Sequence, residues 1–193
     1  MKTIQKLLFP TIFALVILGS GCAKPPAEEM NNAAEAVAAA ENDIYAVNYA
    51  SGTLSRAKAA LANMYEEAAS KNYDLAKSFA AEAIAMSEMA IKEGLAQFVK
   101  IKDDATSVIS SIKTQAKETE QLINTAKENR LDADYDLIDN EFDETYQVMI
   151  QACEAYTEEK FQDSLKMGNS VRTNLDLINY QLSEAAVIET KIK

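Results

Sequence analysis

The sequence predicts an all-α fold, an elongated antiparallel helical bundle of about five helices with one long central helix. Three observations carry that expectation. Beyond Pro26 the chain has no proline and only the glycines Gly52, Gly94 and Gly168, too few breakers for a β fold made of many tight turns. Alanine, the strongest helix former, fills 23 of the 74 positions from 23 to 96 and 8 of the 97 from 97 to 193. Apolar residues also recur at steps of three and four, the period of a helix with one buried face.

Taken in order, Met30, Ala33, Val37, Ala40, Ile44 and Val47 form the first stripe. A turn is expected over 48–53, with Gly52 as breaker and Ser51 or Thr53 as N-cap. Leu54, Ala57, Leu61, Met64 and Ala68 make the second stripe, closed by Ser70-Lys71-Asn72 with Asn72 as cap. From Tyr73 a third stripe runs through Ala76, Ala80, Ala83, Ala90 and Phe98 to Ile101, Ala105, Val108, Ile112, Leu122 and Ala126. It predicts a helix of about 55 residues, roughly 80 Å long at 1.5 Å per residue. Gly94 is its weak point, although one glycine costs only about 1 kcal/mol against alanine.

Residues 129–134 read as a loop. Tyr135, Ile138, Phe142, Tyr146, Met149, Cys153 and Tyr156 follow as a fourth stripe. A turn near Glu158-Glu159 leads to the fifth, from Phe161 through Leu165, Gly168, Val171, Leu175, Ile178, Leu182 and Ala185 to Ile192. Lys191 and Lys193 place positive charge where the last helix dipole favours it. Lys71-Asn72-Tyr73-x-x-Ala76 is echoed 88 residues later by Glu159-Lys160-Phe161-x-x-Ser164, an aromatic over a turn with a small residue admitting the partner helix. The long helix is expected to pack against the first two at one end and the last two at the other.

The start of the chain has a different character. Lys2 and Lys6 precede an apolar run from Leu7 to Leu18, shorter than the 20 or so residues that span a bilayer. This predicts a signal helix rather than a membrane anchor. Leu18-Gly19-Ser20-Gly21-Cys22 then resembles the lipobox of bacterial lipoproteins, with Gly19 where the common pattern has Leu. The resemblance implies a signal peptide over 1–21 and lipidation of Cys22. Residues 22–27, stiffened by Pro25-Pro26, become a short tether, and 28–193 a single helical domain with an Ala-rich portion (28–94) and a second helical portion (95–193). Cleavage removes two lysines and leaves 17 basic against 30 acidic residues, so the formal charge moves from −11 to −13. Such a surface is repelled by anionic headgroups, which leaves attachment to the anchor.

Pro25-Pro26, Ala33, Val37 and Ala40, Arg56-Ala57-x-x-x-Leu61, Lys71-Asn72-Tyr73-x-x-Ala76, and Ala80, Ala83 and Ala90 together resemble an uncharacterised Ala-rich helical-hairpin domain of Gram-negative and spirochaete envelope lipoproteins. The likeness covers about a third of the chain. It implies an envelope lipoprotein without known catalysis and transfers no site residue.

Composition narrows the chemistry further. The chain has no histidine, so Ser-His-Asp and Cys-His catalysis are closed to it, as is a His-rich zinc site. A charge of −11 opposes a nucleic-acid groove, which needs a basic face. Asp132-x-Asp134-x-Asp136 followed by Asn140 and Asp143 has the opening of a calcium loop. Leu137 stands where that loop needs its glycine, however, and Asp143 where it needs glutamate. The segment therefore reads as a solvated acidic turn favouring a helix N-terminus. The pairs Glu66-Glu67, Asp103-Asp104 and Glu158-Glu159 point about 100° apart on a helix and do not converge. Cys153 is expected to be buried and inert. Met64, Met86, Met89, Met149 and Met167 are expected to fill the core rather than line a groove.

No catalytic, cofactor-binding or metal residue is expected; Cys22 is the one site residue. The expected function is a lipid-anchored, non-catalytic helical module that binds an envelope protein or the cell wall. Ala23 after the Cys points to the outer membrane. The alternative is a periplasmic bundle holding an apolar or amphipathic small molecule between its helices.

Overall fold

The computed structural model describes residues 24–192; the expected signal peptide and Cys22 lie outside the described residues. Within these residues six helices follow one another: α1 (Ala27–Asn42), α2 (Ile44–Tyr49), α3 (Ser51–Ala69), α4 (Tyr73–Glu128), α5 (Tyr135–Thr157) and α6 (Phe161–Ile192). Among the described residues there is no strand. The fold is the all-α bundle that the periodicity predicts, with one helix more than the stripes suggest.

The extra break comes from Asp43. Its backbone is extended (φ −82°, ψ 116°) and its carboxylate accepts a hydrogen bond from the Ala46 amide at 2.8 Å, an N-cap that starts a new helix. The first stripe therefore ends at Ala40. Ile44 is 65% exposed, and Ala46 takes the buried place. The expected turn over 48–53 shrinks to Ala50. Gly52 lies inside α3 with open space around it and does not break the chain. Neither Ser51 nor Thr53 caps α3; the Thr53 hydroxyl instead donates to Glu93 on α4 at 2.6 Å.

Three helices end in one device. Lys71, Arg130 and Glu159 have positive φ, at 62°, 54° and 61°. After α3, the Asn72 amide donates to Glu67 O (2.9 Å) and the Lys71 amide to Ala68 O (3.1 Å). The same two bonds close α4 (Leu131 to Ala126, Arg130 to Lys127) and α5 (Lys160 to Ala155, Glu159 to Tyr156). This is the Schellman arrangement, in which a left-handed residue satisfies the last carbonyls. The 88-residue echo is thus a repeated turn, with Ala76 and Ser164 both fully buried one helical turn later.

The chain climbs, descends and climbs again twice over. Lys77 pairs with Glu29, joining the starts of α1 and α4, while α3 descends between them. Their shared core is mostly alanine: Ala33, Ala57, Ala60, Ala76, Ala80 and Ala83, with Val37 and Met64 as its larger members. Beyond Phe98, α4 leaves these partners and packs on α5, which descends, and α6, which climbs. That second core is built of Val108, Ile112, Met149, Val171 and Leu175, continued by Ile123, Ile138, Ile178 and Leu182 towards the far end. The two-ended plan around a long helix is the expected one.

α4 runs unbroken for 56 residues, about 84 Å. Gly94 is there for contact, not flexibility. A Cβ on it would collide with the Tyr45 carbonyl and come within 2.6 Å of the Ala46 amide nitrogen. The backbone of α2 therefore rests directly on α4 at this point. A Cβ on Gly168 would collide with the Val108 side chain, a softer neighbour.

Two sets of substitutions test this account by chemical denaturation. Gly94→Ala lowers stability by about 1–3 kcal/mol, the usual cost of overpacking, whereas Gly52→Ala raises it by up to about 1 kcal/mol. Lys71→Gly, Arg130→Gly and Glu159→Gly each stabilise by about 1 kcal/mol, because an L-residue carries a penalty in the left-handed region.

Candidate interaction surface

The two halves meet through rings. Phe98, at the middle of α4, lies 4.7 Å (between centroids) from Tyr45, 5.8 Å from Tyr49 and 5.8 Å from Phe161. Phe161 in turn meets Tyr156 edge-on at 5.3 Å. Tyr156 shares a 2.8 Å hydrogen bond with Thr106, and the Lys102 ammonium sits 5.7 Å over the Phe161 ring. Aromatic pairs at such distances contribute about 0.5–1.5 kcal/mol each beyond area burial. Alanine cannot fill a junction where one set of partner helices stops and another begins; rings can.

The motifs singled out in the sequence do not form one centre. Asp134 caps α5, accepting from the Leu137 amide at 3.1 Å. Asp136 and Asp143 belong to the helix it caps, so the calcium-loop geometry is not formed. Among the described residues no three Cys, Asp or Glu side chains converge as a metal site would require. In the acidic pairs, Glu67 accepts from Asn72, Asp104 from Lys100 and Glu158 from Lys160. The hydrogen bond from Lys160, with its charge, holds the Glu158 carboxyl below the ordinary range and raises Lys160 in return.

Cys153 is half-buried against the second core, not fully buried as expected. Met64 and Met149 are buried, Met86 and Met167 flank the cores, and Met89 is exposed. The methionines are scattered and make no common groove.

Between the helices lie open grooves. One, of about 740 Å³, separates α3 from α4 and mixes Arg56 and Lys92 with Glu88 and Glu93. Three more follow the seam between α5 and α6. Nearest the α5–α6 turn is one of about 440 Å³, where Lys160 and Lys166 face Glu154, Glu158 and Asp163. Next comes one of about 240 Å³, lined by Glu141, Glu144 and Thr145 with Val148, Leu177 and Ile178. The last, of about 390 Å³, reaches the far end with Asp132, Asp134 and Glu184 around Leu137, Ile138, Tyr180 and Ala185. Gln181 crosses the seam to Glu141 at 3.2 Å.

Sequence reasoning found the acids at 132–136 but not the seam. Which faces of α5 and α6 oppose each other depends on how both helices pack on α4, which no local pattern records. No family model, curated protein or solved structure matches the chain.

Phe98→Ala removes three ring contacts at once and lowers stability by about 2 kcal/mol, less than the loss of a fully buried phenylalanine because Phe98 is half-buried. Hydrogen exchange then accelerates in α2 and at the start of α6, while amides around Ile178 keep their protection.

Proposed function

We propose that this protein is a lipid-anchored, non-catalytic envelope lipoprotein that presents a helical surface to a protein or cell-wall partner. The observation that carries this reading is Leu18-Gly19-Ser20-Gly21-Cys22 behind a short apolar run, joined to the geometry of the helices beyond it. Pro26 is buried and α1 starts at Ala27. The chain from Cys22 to Pro26 spans at most about 14 Å. α1 and α4 begin at the same end of the molecule. A lipid on Cys22 therefore keeps the α3–α4 turn near the membrane, and α4 places the α5 start about 80 Å along the molecule from that turn.

Two or three acyl chains on one residue hold where a single chain does not, so an acidic body needs no lipid contact of its own. The Ala-rich portion, 28–94, fits the envelope-lipoprotein domain that it resembles. Ala23 favours the outer membrane. A surface role suits the grooves better than the small-molecule alternative does, because each of them opens to solvent along a helix seam.

Metabolic labelling with an alkyne palmitate tests the anchor. The wild-type chain takes the label and fractionates with membranes; Cys22→Ser abolishes the label and releases the protein. A label that survives Cys22→Ser, or a wild-type chain that takes none, refutes the reading.

A further inference from the structure

We infer that the far half of the α5–α6 seam is a docking groove for a cationic amphipathic helix. The two outer grooves succeed one another along one side of the helix pair, from Val148 and Asn174 up to Asp132 and Glu184. On α5, residues 134, 137, 138, 141, 144, 145 and 148 fall within one sector of the helical wheel. On α6, residues 174 to 185 bring Leu177, Ile178, Gln181 and Glu184 round to meet them. The α6 part of this track alone is about 16 Å long, enough for three turns of a bound helix.

Two properties of the lining select the occupant. First, it exposes large apolar side chains: Leu137, Leu177 and Tyr180 are 49%, 52% and 60% accessible and gain from being covered. Second, its charge has one sign. Asp132, Asp134, Glu141, Glu144 and Glu184 line the two grooves, and neither lining contains a lysine or arginine. The groove nearer the α5–α6 turn differs, since Lys160 and Lys166 enter its lining, and so does the α3–α4 groove with Arg56 and Lys92. An apolar floor between carboxylate rims suits a helix with leucine-like residues on one face and lysine or arginine on its flanks. Such a groove rests on the interaction role proposed for the protein, and gives it a place, at the end far from the anchor, and a partner chemistry.

The probe is a fluorescein-labelled 14-residue helical peptide of leucine, lysine and alanine, with leucine along one face. It is titrated against the full chain in zwitterionic nanodiscs, with empty discs as blank. Saturable one-to-one binding is expected, weakening with salt as charge pairing requires. Leu177→Ser with Tyr180→Ser lowers affinity about tenfold or more, in the range of interface anchors. Glu144→Gln with Glu184→Gln lowers it severalfold and flattens the salt dependence. Met89→Ser, in the α3–α4 groove, changes nothing. A control peptide with serine for every leucine keeps the charge and binds far more weakly. Equal binding of the two peptides, or indifference to both seam variants while their melting curves match wild type, overturns the proposal. Palmitate labelling reads the anchor independently, so failure of one claim is distinguishable from failure of the other.

Discussion

The contact between the backbone of α2 and Gly94 is the constraint on which the remaining structure depends. A helix 56 residues long cannot be held by one set of partners when those partners are 16, 6 and 19 residues long. It must exchange them partway. Gly94 lets the last of the first set lie against bare backbone, and Phe98 stands one turn on to receive the first residue of the next set. The inward positions of α4 step from Ala90 to Gly94 to Phe98, two fours in succession where a strict heptad alternates four and three. That phase shift turns the buried stripe towards new neighbours without bending the helix.

The two cores solve the packing problem by opposite means. On one side of the exchange, alanine lets helix axes come close and loses no rotamer freedom when buried, so short helices suffice. On the other, larger isoleucine, leucine and valine side chains from α5 and α6 pack against α4. Two buried serines enter these cores with their hydroxyls bonded to backbone carbonyls. Ser87 donates to Ala83 O, and Ser164 donates to Ala152 O between α5 and α6.

Much of this was legible in the residues, because long stripes of period 3.6 bounded by sparse breakers leave few alternatives. The breaks at 70–72, 129–134 and 158–160 appear where the pattern places them. What escaped was phase. Leu122 looks like a core residue, yet it is exposed and Ile123 is buried, because the steps from Val108 to Ile112 to Ala116 advance the stripe by a residue. On α5, Thr145 occupies the buried place that Tyr146 was expected to hold, since a β-branched hydroxyl residue does not register as apolar. Asp43 did carry a signal, an acid three residues before the amide it caps. The continuous apolar stripe around it concealed that signal. The seam required knowing how two helices face each other, which is tertiary information.

The uninterrupted hydrogen-bond ladder of α4 has a mechanical consequence. Both cores are clamped to one backbone, and nothing along its length can act as a swivel. Neither end can rotate about the long axis without carrying the other. A load applied where α5 begins reaches the α1 end of the molecule as torque as well as tension. The azimuth of the outer face is fixed relative to the point where the chain enters α1. A molecule built this way transmits orientation, not only distance.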